Sequence, residues 1–177
     1  MHHLLDSAVE EAEELHGELY LKYAPLLRFL AETSVTAPKV FRFAAEIVLN
    51  RRIESLFDAP DPAPSELTRM LAEVDKNQVT IDDVQLREVA TGRLEREVAR
   101  VRRNPEDAAV VSDFADICQM VITLPLDISL WRARNVCFEL LQTQYGERCG
   151  RNGADDVDWC RAVEAVASTL RIRLPDT

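Results

Sequence analysis

Val110, Val111, Phe114, Ile117, Cys118 and Val121 recur at the spacing of one α-helical face, the cleanest apolar period in the chain. A strand would instead alternate its apolar residues with a period of two. Comparable helical patterns fill the rest of the sequence, separated by prolines and capping residues. The segment from Asp6 to Tyr23 sets Glu10, Glu11, Glu13, Glu14 and Glu18 against Val9, Ala12, Leu15 and Leu19, an acidic solvated face opposite an apolar one. Pro25 is expected to restart or kink the chain. Pro38 opens a helix through Phe41, Ala44, Ala45, Val48, Leu49 and Ile53 to about Phe57. A further helix spans about Pro64 to Lys76, and Asp82 caps a long one through Leu86, Ala90, Leu94 and Val101. Asn104 and Pro105 stop that helix and start the Val110 helix, which Pro125 ends. The helix bearing Trp131 runs to about Tyr145, GERCGRNGAD forms a polar loop, and a last helix covers about Asp155 to Leu170. Only 5 Gly and 6% aromatic residues also favour long helices over a turn-rich all-β fold. The predicted fold class is all-α, a helical bundle of about seven helices.

Three prolines within five residues make Asp58 to Ser65, DAPDPAPS, the clearest interruption. The expected organisation is an N-terminal helical subdomain over 1–59 and a main bundle over 64–177, together one compact unit.

A formal charge of −10 disfavours nucleic acid and anionic membrane surfaces as partners. The apolar runs stop short of the roughly 20 residues that span a bilayer. No basic stretch followed by an apolar core opens the chain, so the cytoplasm is the expected location. Cys118, Cys137, Cys149 and Cys160 lie 19, 12 and 11 positions apart, with His2, His3 and His16 all at the far end. No metal site and no cofactor is expected from that distribution. Cys118 and Cys137 fall on apolar stripes and read as core, while Cys149 and Cys160 flank a loop and would pair in an oxidising setting. The Arg93, Arg96, Arg100 and Arg103 stripe reads as ion pairing to neighbouring acidic helices, since Glu95 and Glu97 interrupt it and no aromatic residue accompanies it. Asp155, Asp156 and Asp158 fall where a helix begins and read as capping residues.

No carboxylate pair, nucleophile–base pair or phosphate-binding loop stands out, and nothing brings Asp127 and Glu139 together, so no catalytic residue is assigned. The residues that remain are on the Trp131 helix. At about 100° per residue, Leu130, Ala133, Cys137, Leu140 and Leu141 gather on one side. Trp131, Arg134, Asn135, Phe138, Gln142 and Tyr145 gather on an adjacent sector and are the candidate substrate- or partner-facing set. Rings interleaved with Arg, Asn and Gln suit a sugar surface and equally suit an interdomain interface. Packing within the bundle, contact with another domain and direct substrate contact all remain readings of that face.

LPLDISLWRARNVCFELL at Leu124 to Leu141, with YLKYAPLLRFL at Tyr20 to Leu30 and AAEIVLNRRIESLF at Ala44 to Phe57, resembles the helical domain C-terminal to some family-57 glycoside hydrolase catalytic domains. The most specific element is Leu130-Trp131 followed by Asn135. The family's asparagine before that leucine and glutamine before the later asparagine are Ser129 and Arg134 here. The resemblance implies a non-catalytic accessory domain that docks on, and helps wall the cleft of, an upstream barrel acting on α-glucans, with α-glucan contact as a corollary. The family's catalytic carboxylates belong to that barrel and carry over to no residue here. Cut away from its barrel, such a bundle would expose an apolar patch and is expected to form a homodimer. The alternative is a free-standing helical protein-interaction module unrelated to carbohydrate.

Overall fold

The computed structural model describes residues 2–33, 35–149 and 154–175. Among these residues there are seven helices and no strand, so the chain is an all-α bundle. They are α1 (His2–Glu32), α2 (Lys39–Asp58), α3 (Pro64–Lys76), α4 (Asp83–Arg103), α5 (Ala108–Thr123), α6 (Trp131–Leu140) and α7 (Ala154–Leu170). Helix α6 continues without a break through a π-helical turn, Leu141–Tyr145, into a last turn, Gly146–Arg148. The rest of the expected polar loop, 150–153, lies outside the described residues.

The helix boundaries follow from local chemistry. Asp82 Oδ1 accepts from the backbone N–H groups of Val84 (3.2 Å) and Gln85 (3.1 Å), so it caps α4 as its position implied. The cap of α5 is Asp107, which accepts from Ala109 and Val110, rather than Asn104 or Pro105. An aspartate carboxylate satisfies two orphan N–H groups at once, which proline cannot do. Pro25 does not restart the chain, because α1 runs through it. Both Pro25 and Leu21, whose carbonyl loses its donor, are exposed, so water can take up the freed acceptor.

The chain divides into two compact units, the first made of Met1–Ser55 and Thr68–Leu86, the second of Leu56–Leu67 and Arg87–Thr177. The first buries Tyr20 and Leu27 of α1, Ala44, Ala45, Leu49 and Ile53 of α2, and Met70 and Val74 of α3. Its polar ties include the Tyr20 hydroxyl donating to Glu73, and Lys76 paired with Glu32 at 2.9 Å. Asn50 joins α2 to the turn before α4, donating to Thr80 O (2.9 Å) and accepting from the Asp82 N–H (2.9 Å).

In the second unit α5 packs along α7. The whole Val110 to Val121 stripe is buried there, with Trp159, Val163, Val166, Ala167 and Leu170 of α7. Burying side chains of this size contributes roughly 1.5–3 kcal/mol each before the opposing entropy is counted. Cys118 and Cys137 are buried and free, and Cys149 is bonded to Cys160. Trp159 is fully buried and donates its indole N–H to Pro105 O at 2.8 Å, while the Arg148 guanidinium lies 4.4 Å from its ring centroid.

Candidate interaction face on helix α6

Helix α6 has no side-chain cap at Leu130, so its start is set by the segment before it. There Leu124 and Ile128 are buried and Arg87 donates to the Asp127 carbonyl, which fixes where Trp131 enters the helix. From that point the wheel holds for Ala133, Cys137, Leu140 and Leu141, which are buried, while Val136, outside the core side that the spacing gave, is buried with them and Leu130 is only half-buried.

Trp131 is 67% exposed and Phe138 53% exposed, with Arg134 and Gln142 also exposed and Asn135 half-buried. These five side chains lie within a sector of about 100° on an ideal α-helix. Seven residues separate the two rings, which sets them about 10 Å apart along the axis. The α4 side of the stripe is bordered by ion pairs, Arg132 to Glu95 at 3.1 Å and Arg102 to Glu139 at 3.3 Å. Arg134 makes no ion pair among the described residues and leaves an uncompensated cation between the rings.

Tyr145 does not belong to this face. It is 5% exposed and donates its hydroxyl to Glu164 Oε1 at 2.7 Å. The cause is the π-helical turn: its i→i+5 bonds add about one residue per turn, so five residues fall behind the α-helical wheel by roughly 90°. That rotation carries Tyr145 from the exposed sector into the middle of the buried one. Burial first, then the bond to Glu164 and the charge of that carboxylate, push the Tyr145 phenol up to about 12.

The other candidate chemistry resolves into structure. Glu139 is held by Arg102, Asp156 by Arg148 at 2.7 Å and Asp158 by Arg161 at 3.1 Å. No group of three or more metal-ligating side chains occurs among the described residues. Burial, with Asp113 nearby, raises the Asp116 carboxyl above its usual range. Burial likewise raises the Cys118 and Cys137 thiols, Cys137 to about 12, which keeps both protonated and unreactive.

Of the arginine stripe on α4, Arg96 lies 3.6 Å from Asp58 and Arg100 bridges Glu97 (3.4 Å) and Asp113 (2.8 Å). Arg93 is buried with Glu97, its Nε 3.2 Å from Glu97 Oε1 in an ion pair too poorly angled for a hydrogen bond. Its other nitrogens donate to Phe57 O (3.4 Å), Ala59 O (2.8 Å) and Pro60 O (3.2 Å) and so fasten the start of the proline-rich segment to α4. Sequence reasoning expected pairing to neighbouring helices, and gave neither this pair within α4 nor its burial. An arginine and a glutamate four apart on a helix look alike whether wet or dry.

No family model, no curated protein and no solved structure matches this chain.

Proposed function

We propose that the chain is a non-catalytic helical docking domain that presents Trp131, Arg134, Asn135, Phe138 and Gln142 to a partner. The observation that carries this reading is the contrast within one helix. The core side of α6 is closed, yet two large rings on the other side stand more than half exposed beside an unpaired arginine. Aromatic residues and arginine are the types enriched at the centres of interfaces, and leaving them wet has no folding benefit. The partner suggested by the sequence resemblance is an upstream family-57-like glycoside hydrolase barrel acting on α-glucan, whose cleft this face would help to wall. A helical interaction module that binds some other protein rests on the same side chains.

The test is to read the coding sequence directly upstream and, where a barrel is encoded in frame, to express both parts with a photo-crosslinking amino acid placed in turn at position 131, at position 138 and at exposed positions on α1. Crosslinks from position 131 to the barrel support the hydrolase reading. Crosslinks confined to positions on α1, with none from 131 or 138, would overturn the docking face. An upstream region without a barrel removes the hydrolase as partner and leaves the interaction module. The isolated chain should then associate through the same face, so its mass in solution should fall to the monomer's in the Trp131→Ala/Phe138→Ala variant.

No helix among the described residues is long and apolar enough to cross a membrane. A cytoplasmic location belongs to the same proposal, and the Cys149–Cys160 bond supplies its test, since a reducing cytosol keeps such pairs open. Rapid alkylation in cells should find both thiols free. A bonded pair in cells would place the chain in an oxidising compartment.

A further inference from the structure

We propose that the first unit binds a small organic carboxylate in the cavity between the C-terminal part of α1, the first turn of α2 and the end of α3, with Arg42 as its anchor. This site is independent of the α6 face. The cavity measures about 130 Å³. A dry cavity of about 150 Å³ holds a benzene, so this one suits a ligand of about six to eight heavy atoms.

The lining has two chemically distinct sides. Leu27, Ala31, Val35 and Ala37 form an apolar wall, and Arg42, Lys76, Asn77, Gln78 and Thr36 supply the polar one. In a chain with a formal charge of −10, two cations on one cavity with no carboxylate among its described lining residues are a local exception. Lys76 already has a partner, the exposed Glu32 at 2.9 Å. Arg42 has none among the described residues. Its Nε–H is shut off from solvent with no acceptor among the described residues, which disfavours the site as it stands.

Arg42 and Gln78 also line an adjoining, more open chamber with Lys39, Val40, Phe43, Glu46 and Thr80. Among its described lining residues Glu46 is the one acid, against Lys39 and Arg42, so the outer chamber carries one net positive charge, which favours an anion. A guanidinium forks onto both oxygens of a carboxylate, and the lysine adds a second charge on the same head. The apolar wall then selects an anion with a short hydrocarbon body over a fully hydrated one such as inorganic phosphate.

Both tryptophans belong to the second unit, so binding is best read from backbone amide shifts in a ¹⁵N-labelled full-length chain titrated with butyrate. Saturable shifts at Ala31, Val35, Ala37, Asn77 and Gln78, with a roughly millimolar Kd for so small a ligand, are expected. Arg42→Gln should weaken binding about 10- to 100-fold, the range for a lost charged hydrogen bond. Butyramide, which has the same body without the charge, should not saturate, and phosphate should bind more weakly than butyrate. Shifts that never saturate, butyramide binding as well as butyrate, or phosphate binding more tightly than butyrate would each overturn the proposal. Should Arg42→Gln fail to give a dispersed spectrum, the exposed Lys76→Gln carries the test: several-fold weaker butyrate binding supports the site, and unchanged affinity refutes it.

Discussion

Replacing Arg93 by methionine should destabilise the second unit more than any other single change on the α4 surface. Arg93 is 7% exposed and Glu97 5% exposed, so the substitution leaves a carboxylate in a nearly dry site. Its remaining partner is Arg100 at 3.4 Å, whose own side chain is 40% exposed and shared with Asp113. Breaking a buried pair by removing one member costs about 3–5 kcal/mol, chiefly through the uncompensated charge. The Phe57, Ala59 and Pro60 carbonyls lose their donor as well; Ala59 is half-buried and Pro60 exposed, so water replaces it there at little cost, while at the fully buried Phe57 the loss adds to the destabilisation. For a chain of this size each kcal/mol lowers Tm by about 2–4 °C, and the expected drop is therefore about 6–20 °C.

The double variant Arg93→Met/Glu97→Leu separates charge from packing. Both polar groups are then gone and the volume is kept, so most of the lost stability should return, because well-packed apolar substitutes for a buried pair are often neutral or better. Urea unfolding followed by tryptophan fluorescence suits the measurement, since Trp131 and Trp159 are the only tryptophans and both lie in the second unit. A four-member cycle of wild type, the two single variants and the double gives the coupling energy directly. If Arg93→Met alone costs under about 1 kcal/mol, or if the double variant is as unstable as the two single losses added, the buried charge is not what holds the proline-rich segment to α4.

Trp131→Ala should cost less than about 1 kcal/mol in the isolated chain, against about 3–5 for the fully buried Phe114→Ala; equal losses in urea unfolding would make Trp131 a core residue and remove the docking face. Reducing the Cys149–Cys160 bond, which closes an 11-residue separation, should lower stability by about 3 kcal/mol, and unchanged urea midpoints with and without reductant would refute that. Tyr145 sets an alkaline limit. Its folded pKa, about 12, lies above the ordinary tyrosine value of 10.0, so the native state keeps the proton after the unfolded chain has lost it. The stabilisation is therefore whole below pH 10 and lost as pH rises toward 12. In Tyr145→Phe the fall in stability across that window should be shallower, and an unchanged slope would show the phenol is not responsible.

Most of the fold was legible because a helix writes its buried face into the spacing of its residues. The Val110 stripe is buried as the period required, and α3 spans Pro64–Lys76 where the pattern placed it. Capping was legible at Asp82, and misread at α5, where Asp107 caps the helix that Asn104 and Pro105 were expected to start. What the pattern could not supply were facts of tertiary origin. The Arg42 cavity joins residues of α1 and α2 to the end of α3, more than thirty positions from Arg42, and nothing local to Arg42 marks it as lacking a partner.

Tyr145 shows most plainly where periodicity stops. On an unbroken α-helix it would stand on the exposed stripe with Trp131, Phe138 and Gln142, which is how the spacing reads. Instead Leu140, Leu141 and Tyr145 are all buried, although an α-helical turn would set Tyr145 about 140° from Leu140 and toward the exposed stripe. Widening one turn from i→i+4 to i→i+5 brings all three inward and lets the Tyr145 hydroxyl reach Glu164 on α7. The same turn leaves Gln144 Oε1 buried with no partner, a cost of about 1–3 kcal/mol that the burial of a tyrosine ring can offset. That balance depends on α7, and no window of sequence around Leu141 contains it. The exposed face therefore ends at Gln142, and a partner docking on α6 meets two rings and three polar side chains, with the tyrosine already committed to the core.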